Sequence, residues 1–248
     1  MNTLNENIIA IAQIETSRNQ TKINLEKHID FIIKAASHHA KIIIFPEMSL
    51  TGYETKNAKK LSLKINDPYI QEIISTCKEY QISSMIGLPL MENNILYIAT
   101  LLIHKSGKID IYYKQNLHSE ENDYFKPRND IDNFTIENIN ISLSICYDIE
   151  FKNHIKKAYE NKSKFYFSSI FYTENGIKDL KEKVKNYSTI YPMNYVVSNY
   201  VNEVWTEKAA GNSFFVNKNG TIIELDNKSE NILFIKTNED SFENYTLK

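Results

Sequence analysis

Arginine is nearly absent from this 248-residue chain. Only Arg18 and Arg128 stand among 29 basic residues, so the planar guanidinium forks that clamp phosphates and carboxylates are scarce. Cysteine is scarce too. Cys77 and Cys146 are the only two, too few for a disulfide framework, and a reducing cytoplasm is the expected setting. Six glycines and five prolines exclude collagen-like and low-complexity architectures. No apolar run approaches the roughly 18 residues that a membrane span needs. The opening seven residues are polar, and the apolar run 8–12 is too short and lacks a basic flank for a secretory leader, so none is expected. Charge is balanced, 29 basic against 31 acidic residues for a net −2. That leaves no global electrostatic footprint for nucleic acid or an anionic membrane.

What is present fits a soluble globular chain: 42% apolar and 24% charged residues, enough for a sizeable core. Strand-like and helix-like patterns alternate throughout. Residues 8–14, 41–45, 82–89, 96–104, 109–114, 134–136, 139–146, 164–169, 195–200, 212–216, 221–225 and 232–236 read as strands. Residues 24–38, 67–80, 149–161 and 178–190 read as helices, the first from Leu25, Ile29, Ile32, Ile33 and Ala36 at helical spacing. Ser106-Gly107 and Asn219-Gly220 mark hairpin turns. With no linker, repeat or composition break, one α/β domain over 1–248 is expected.

Three residues end strands. Alternation along 139–146 puts Ile141, Leu143 and Ile145 on one face and Ser142, Ser144 and Cys146 on the other. A helix is expected to follow, with Asp148 as its N-cap, and a thiol there would be tuned toward thiolate. Cys77 lies mid-helix beside Ile73 and Ile74, the setting of an inert buried thiol. Glu47 follows strand 41–45 across Pro46, where sheet ends bind ligands. Lys114 closes strand 109–114, sharing a face with Asp110 and Tyr112; such a lysine alone is ordinarily a surface charge.

Together the segments carrying these residues form a pattern. The first is Ile43-Ile44-Phe45-Pro46-Glu47 with a trailing Leu50-Thr51-Gly52-Tyr53. The second is Tyr113-Lys114-x-x-Leu117-x-x-x-Glu121-x-x-x-Phe125-x-Pro127. The third is Ser144-Ile145-Cys146-Tyr147-Asp148-x-x-Phe151. In this order, with Ala12-Gln13 early and Gly211-Asn212-Ser213 late, they resemble the nitrilase (carbon–nitrogen hydrolase) superfamily over essentially the whole chain. The resemblance implies a four-layer αββα sandwich and dimers that extend its layers. It also implies a Glu47–Lys114–Cys146 triad, with Glu121, Tyr147 and Tyr53 as substrate-binding or orienting residues. Glu47 would take the Cys146 proton, while Lys114 and the Tyr147 backbone N–H would face the oxyanion. Glu121 would orient Lys114.

No cofactor or metal is required. The acidic cluster His118, Glu120, Glu121 and Asp123 lacks a metal-ligand spacing. A Cys–His reading would need His154, which is expected to point outward from its helix. The family's usual Arg is replaced by Glu150, its Pro-Glu by Lys152-Asn153, and its Arg-Ala-x-Glu-Asn stretch by residues 188–194. Lys126 and Arg128 flank Pro127 and would suit an anionic substrate as readily as a solvated loop. The expected activity is hydrolysis of a small linear amide, ω-amide or N-carbamoyl compound, with Tyr147-Asp148 after the cysteine favouring amide over nitrile. The competing readings are a catalytically drifted binding or scaffold protein, or a nitrile hydrolase or acyltransferase on the same triad. A homodimer or larger even-numbered oligomer is expected, through the aromatic run 165–172 and the segment 188–195.

Overall fold

The computed structural model describes residues 7–129, 133–204, 206–237 and 242–247. Residues 1–6 of the polar opening, and residues 130–132, lie outside them.

Period-two alternation builds two sheets whose inner faces share one core. The first sheet begins with β1 (Asn7–Gln13), β2 (Ile42–Ile44), β3 (Ser83–Glu92), β4 (Ile95–Ile103) and β5 (Ile109–Tyr113). Late in the chain, β14 (Asn231–Thr237) and β15 (Phe242–Thr246) complete its order β15-β14-β1-β2-β3-β4-β5. The second comprises β6 (Phe134–Ile136), β7 (Ile139–Ile145), β8 (Phe165–Ser169), β9 (Asn194–Ser198), β12 (Phe214–Val216) and β13 (Ile222–Glu224), in the order β13-β12-β9-β8-β7-β6. A separate hairpin pairs β10 (Val201–Val204) with β11 (Glu207–Ala210).

Ile9, Ile11, Ile42 and Ile44 meet Leu143, Ile145, Phe165, Phe167 and Val196 between the sheets. Their neighbours in sequence face outward. Ala10, Ala12 and Ile43 pack under α1 (Thr21–Ser37) and α3 (Pro68–Glu79), through Phe31, Ile32, Ile70 and Ile73. Tyr166, Tyr195 and Val197 pack under α4 (Lys152–Glu160) and α5 (Glu174–Ile190), through Ile155, Ile177, Leu180 and Val184. The result is an αββα sandwich. No helix among the described residues is long and apolar enough to cross a membrane.

Several expectations change. A helix was expected from residue 149, but 146–150 form a 3₁₀ turn and α4 starts at Lys152, with Phe151 rather than Asp148 at its N-cap. The last helix begins at Glu174, four residues ahead of the expected 178. Short α2 (Ala58–Leu61), the β10–β11 hairpin and β15 are additions. The expected strand 195–200 ends at Ser198, and 212–216 begins only at Phe214, because Asn212 takes positive φ. The aromatic run proposed as an interface is largely core: Phe165, Tyr166 and Phe167 are buried.

Candidate active site

Glu47, Lys114 and Cys146 lie just past the ends of β2, β5 and β7, the first two strands in one sheet and the third in the other. Glu47 lies on the turn after β2. Met48, just past it, takes φ 48°, and the turn is braced from three sides. Gly87 packs so closely that a Cβ there would stand 2.4 Å from Met48 N and 2.8 Å from Pro46 O. His28 bridges Asn24 O (2.6 Å) and Ser49 Oγ (2.9 Å). The Tyr200 hydroxyl donates to Glu47 O.

Lys114 is no surface charge. Its side chain is fully buried, and Nζ lies 2.7 Å from both Glu47 Oε1 and Glu121 Oε1. Glu121 is anchored in turn by the Tyr53 hydroxyl at 3.0 Å and by the His118 N–H at 2.8 Å. Burial alone would discharge the lysine; the two carboxylates reverse that and hold it charged above the ordinary lysine range. Glu47 shows the opposite balance. Burial raises its pKa to about 7, against the pull of Lys114 and with a further push from Glu121. Its Oε2 is buried without a hydrogen bond among the described residues.

Cys146 leaves the sheet. β7 ends at Ile145, and Cys146 opens the 3₁₀ turn at φ 46°, a left-handed geometry costly for a residue with a side chain. Its thiol lies 3.7 Å from Phe171 O. The expected thiolate tuning is not found: burial first, then the Glu47 charge, push this thiol well above its ordinary range, with Lys114 only partly opposing. Buried Cys77 is also raised, to about 11, and contacts Ser84 Oγ at 3.1 Å.

Asp148 fastens the turn. Oδ2 accepts from Tyr112 OH (2.8 Å) and Ile145 N (3.0 Å). Oδ1 accepts from Gln115 N, Asn116 N and Asn116 Nδ2. One buried carboxylate thus ties the Cys146 turn to the loop that follows Lys114. The motif gave the residue, but its role needed a fold that juxtaposes positions more than thirty apart. His154 points inward rather than outward, with Nε2 2.8 Å from Tyr112 OH and Nδ1 2.8 Å from Tyr166 OH.

Glu47, Lys114, Glu121, Tyr53 and Cys146 therefore come together. The Tyr147 side chain does not; it is exposed, edge-on to His118 and Phe151 at 5.6 and 5.2 Å. Glu120 and Asp123 point to solvent while Glu121 turns inward. Lys126 is exposed, and Arg128 pairs with Glu92 and lies 4.2 Å over the Tyr113 ring. Lys152 and Asn153 sit on the exposed start of α4. Glu150 is half-buried and accepts from Tyr172 OH (2.6 Å) and Lys183 Nζ.

A family model for carbon–nitrogen hydrolases matches residues 8–241, and the chain belongs to that family. Its fold is that of the nitrilase superfamily. Nit3 of Saccharomyces cerevisiae, a member of branch 10 of that superfamily, superposes with a TM-score of 0.88 at 16% identity, covering 95% of this chain and 91% of that one. An amidase of Nesterenkonia sp. AN1 gives 0.84 at 18% identity, covering 94% and 92%. A variant of that amidase carries the acetamide moiety of fluoroacetamide on its active-site cysteine. Among curated sequences, the chain is 26% identical to the 2-oxoglutaramate amidase of Bacillus subtilis over 153 residues, 60% of this chain and 59% of that protein. It is 28% identical over 155 residues to the glutamine-dependent NAD(+) synthetase of Aquifex aeolicus, covering 60% of this chain and 27% of that protein.

Proposed function

We propose that this protein is an amidase that hydrolyses a small linear amide, ω-amide or N-carbamoyl compound through a thioacyl intermediate on Cys146. One observation carries the reading: a fully buried ammonium, Lys114, lies 2.7 Å from each of two carboxylates, and Tyr53, which holds one of them, packs on the Phe171 whose carbonyl accepts from the Cys146 thiol. A purely structural core would favour apolar residues over three buried charges.

In the proposed reaction Glu47 takes the thiol proton as sulfur attacks the substrate carbonyl carbon. The carbonyl π pair moves to oxygen, facing Lys114 and the Tyr147 backbone N–H. Collapse breaks the C–N bond, and the proton on Glu47 goes to the leaving nitrogen. Water then loses a proton to Glu47 and attacks the thioester; the departing sulfur regains that proton. Glu121, held by Tyr53, fixes the lysine.

The test is intact-protein mass spectrometry during exposure to a panel of linear amides, with ammonia release followed in parallel. An acyl adduct lost in Cys146→Ala and discharged by water is expected. Amide binding with neither adduct nor ammonia would make the chain a binding protein instead.

Assembly and location belong to the same proposal. Tyr159 and Ile190, 43% and 54% exposed, flank Tyr191, whose ring lies 5.8 Å from that of Tyr159. This apolar patch fits a homodimer contact, which light scattering would reveal as a doubled mass. Two free cysteines suit a reducing cytoplasm.

A further inference from the structure

His154 turns inward from the start of α4, half-buried, and the reaction above does not use it. Its ring spans the two sheets. Nε2 lies 2.8 Å from the hydroxyl of Tyr112 on β5, and Nδ1 lies 2.8 Å from the hydroxyl of Tyr166 on β8. Both phenol rings stand nearly perpendicular to the imidazole, at 89° and 86°. Tyr112 and Tyr166 are buried, so each hydroxyl has to find its partners within the protein.

The direction of these bonds follows from counting hydrogens. The Tyr112 hydroxyl donates its one proton to Asp148 Oδ2 at 2.8 Å. Toward the imidazole its oxygen can then only accept, so Nε2 carries a hydrogen whether the ring is neutral or charged. In the neutral ring Nδ1 is the acceptor, and the Tyr166 hydroxyl donates to it. The result is one directed chain, from Tyr166 to His154 to Tyr112 to Asp148. In such a chain each bond polarises and strengthens the next. It ends on the carboxylate that closes the nucleophile's turn through Ile145 N (3.0 Å) and holds the loop after Lys114 through Gln115 N (3.2 Å) and Asn116 N (2.7 Å). Cys146 sits in that turn at φ 46°, a conformation that persists only where its surroundings enforce it.

We propose that His154 is a positioning residue for the nucleophile: by donating to Tyr112 it directs the phenol's proton onto Asp148, and so holds the Cys146 turn in register with Lys114. It touches no reacting atom. The proposal rests on Cys146 as the nucleophile, and its test requires no knowledge of the substrate.

The experiment measures the rate at which iodoacetamide alkylates Cys146 at neutral pH, by mass spectrometry of its peptide, in proteins whose folding is checked by circular dichroism. His154→Met keeps the bulk and loses the donor. It should slow alkylation about tenfold, short of the roughly 10²-fold that an ångström of misplacement costs. His154→Gln, whose amide supplies an N–H, should restore most of the rate. Tyr166→Phe removes only the far hydroxyl and should slow the reaction to a smaller extent; it decides the matter if His154→Met fails to fold. Tyr112→Phe combined with His154→Met should be no slower than Tyr112→Phe alone, because the histidine acts through the tyrosine. Losses that multiply, no rescue by His154→Gln, rates unchanged in every variant, or a wild-type Cys146 that resists alkylation overturns the proposal. Ammonia release from the amide panel judges the amidase reading separately. A wild type that is alkylated yet releases none would sink that reading and leave the positioning role standing.

Discussion

Replacing Lys114 by methionine removes the one ammonium shared by Glu47 and Glu121 while keeping the length of the side chain. All three side chains are at most 1% exposed, so water cannot stand in for the lost charge. Glu121 keeps its bonds from Tyr53 and His118. Glu47 Oε2 has no hydrogen-bond partner among the described residues, and its Oε1 loses the lysine. Breaking a buried pair in this way costs about 3–5 kcal/mol. Part of that penalty should depend on pH, with a definite sign. In the wild type Glu47 is charged above about 7; in the variant it stays protonated there. Each unit of pH above that point therefore adds about 1.4 kcal/mol to the difference, so the penalty at pH 8 should exceed that at pH 5.5 by roughly this amount. Chemical denaturation of both proteins at the two pH values measures it. Turnover should fall by at least about 10²–10³, the cost of one oxyanion donor, and Lys114→Arg should not rescue, because a planar fork cannot occupy a fully enclosed ammonium site. A penalty under about 1 kcal/mol, or one indifferent to pH, would refute the reasoning.

Three further outcomes follow from the same geometry. If Glu47 is the base, kcat/KM should fall about tenfold per unit below an apparent pKa near 7, and Glu47→Gln should abolish turnover at every pH. His28 is buried, and burial lowers its pKa to about 4 from 6.5. The folded protein therefore binds fewer protons than the unfolded chain between those values, and the neutral ring contributes stability that is lost as pH falls from 6.5 to 4. Denaturation of wild type and His28→Gln should show a gap larger by about 3 kcal/mol at pH 7 than at pH 4; a constant gap counts against it. Gly87→Ala forces its methyl onto Met48 N and Pro46 O, so the Glu47 turn must shift. Activity should drop on the order of 10²-fold, as for an ångström of misplacement, with the helices intact by circular dichroism.

The layers were legible because alternation is a local property. Ile9 and Ile11 against Ala10 and Ala12, or Phe165 and Phe167 against Tyr166, sort themselves onto two faces before any partner is known. The β10–β11 hairpin and β15 were not, because Glu203, Glu207 and Lys208, or Glu243 and Asn244, are polar strand residues at exposed edges. Within the site, motif spacing indicated which residues to gather. It was silent on the state of the thiol, since the length of chain between Cys146 and Glu47 carries no information about how much water lies between them. The Tyr172–Glu150 bond and the Asp148 hub were hidden for the same reason: each joins segments that only the folded sheets bring together.

A neutral thiol beside a carboxylate of pKa near 7 at first looks poorly prepared for attack, yet the charges explain why it suits the proposed chemistry. With Glu47 ionised, Lys114 divides its field between two carboxylates 2.7 Å away, and an oxyanion would have to compete with both. Once the thiol proton passes to Glu47, that carboxylate no longer draws on the ammonium. Only Glu121 does, and its remaining oxygen already accepts from His118. The lysine field then becomes available as charge develops on the substrate oxygen. Preorganised charge matters most when it strengthens during the step rather than before it. A permanently ionised thiolate would forfeit this, because its own charge would engage Lys114 in the resting enzyme. The raised thiol and the raised glutamate are thus two consequences of one buried pocket, and in the proposed reaction the proton between them would switch Lys114 from holding the resting site together to facing the substrate.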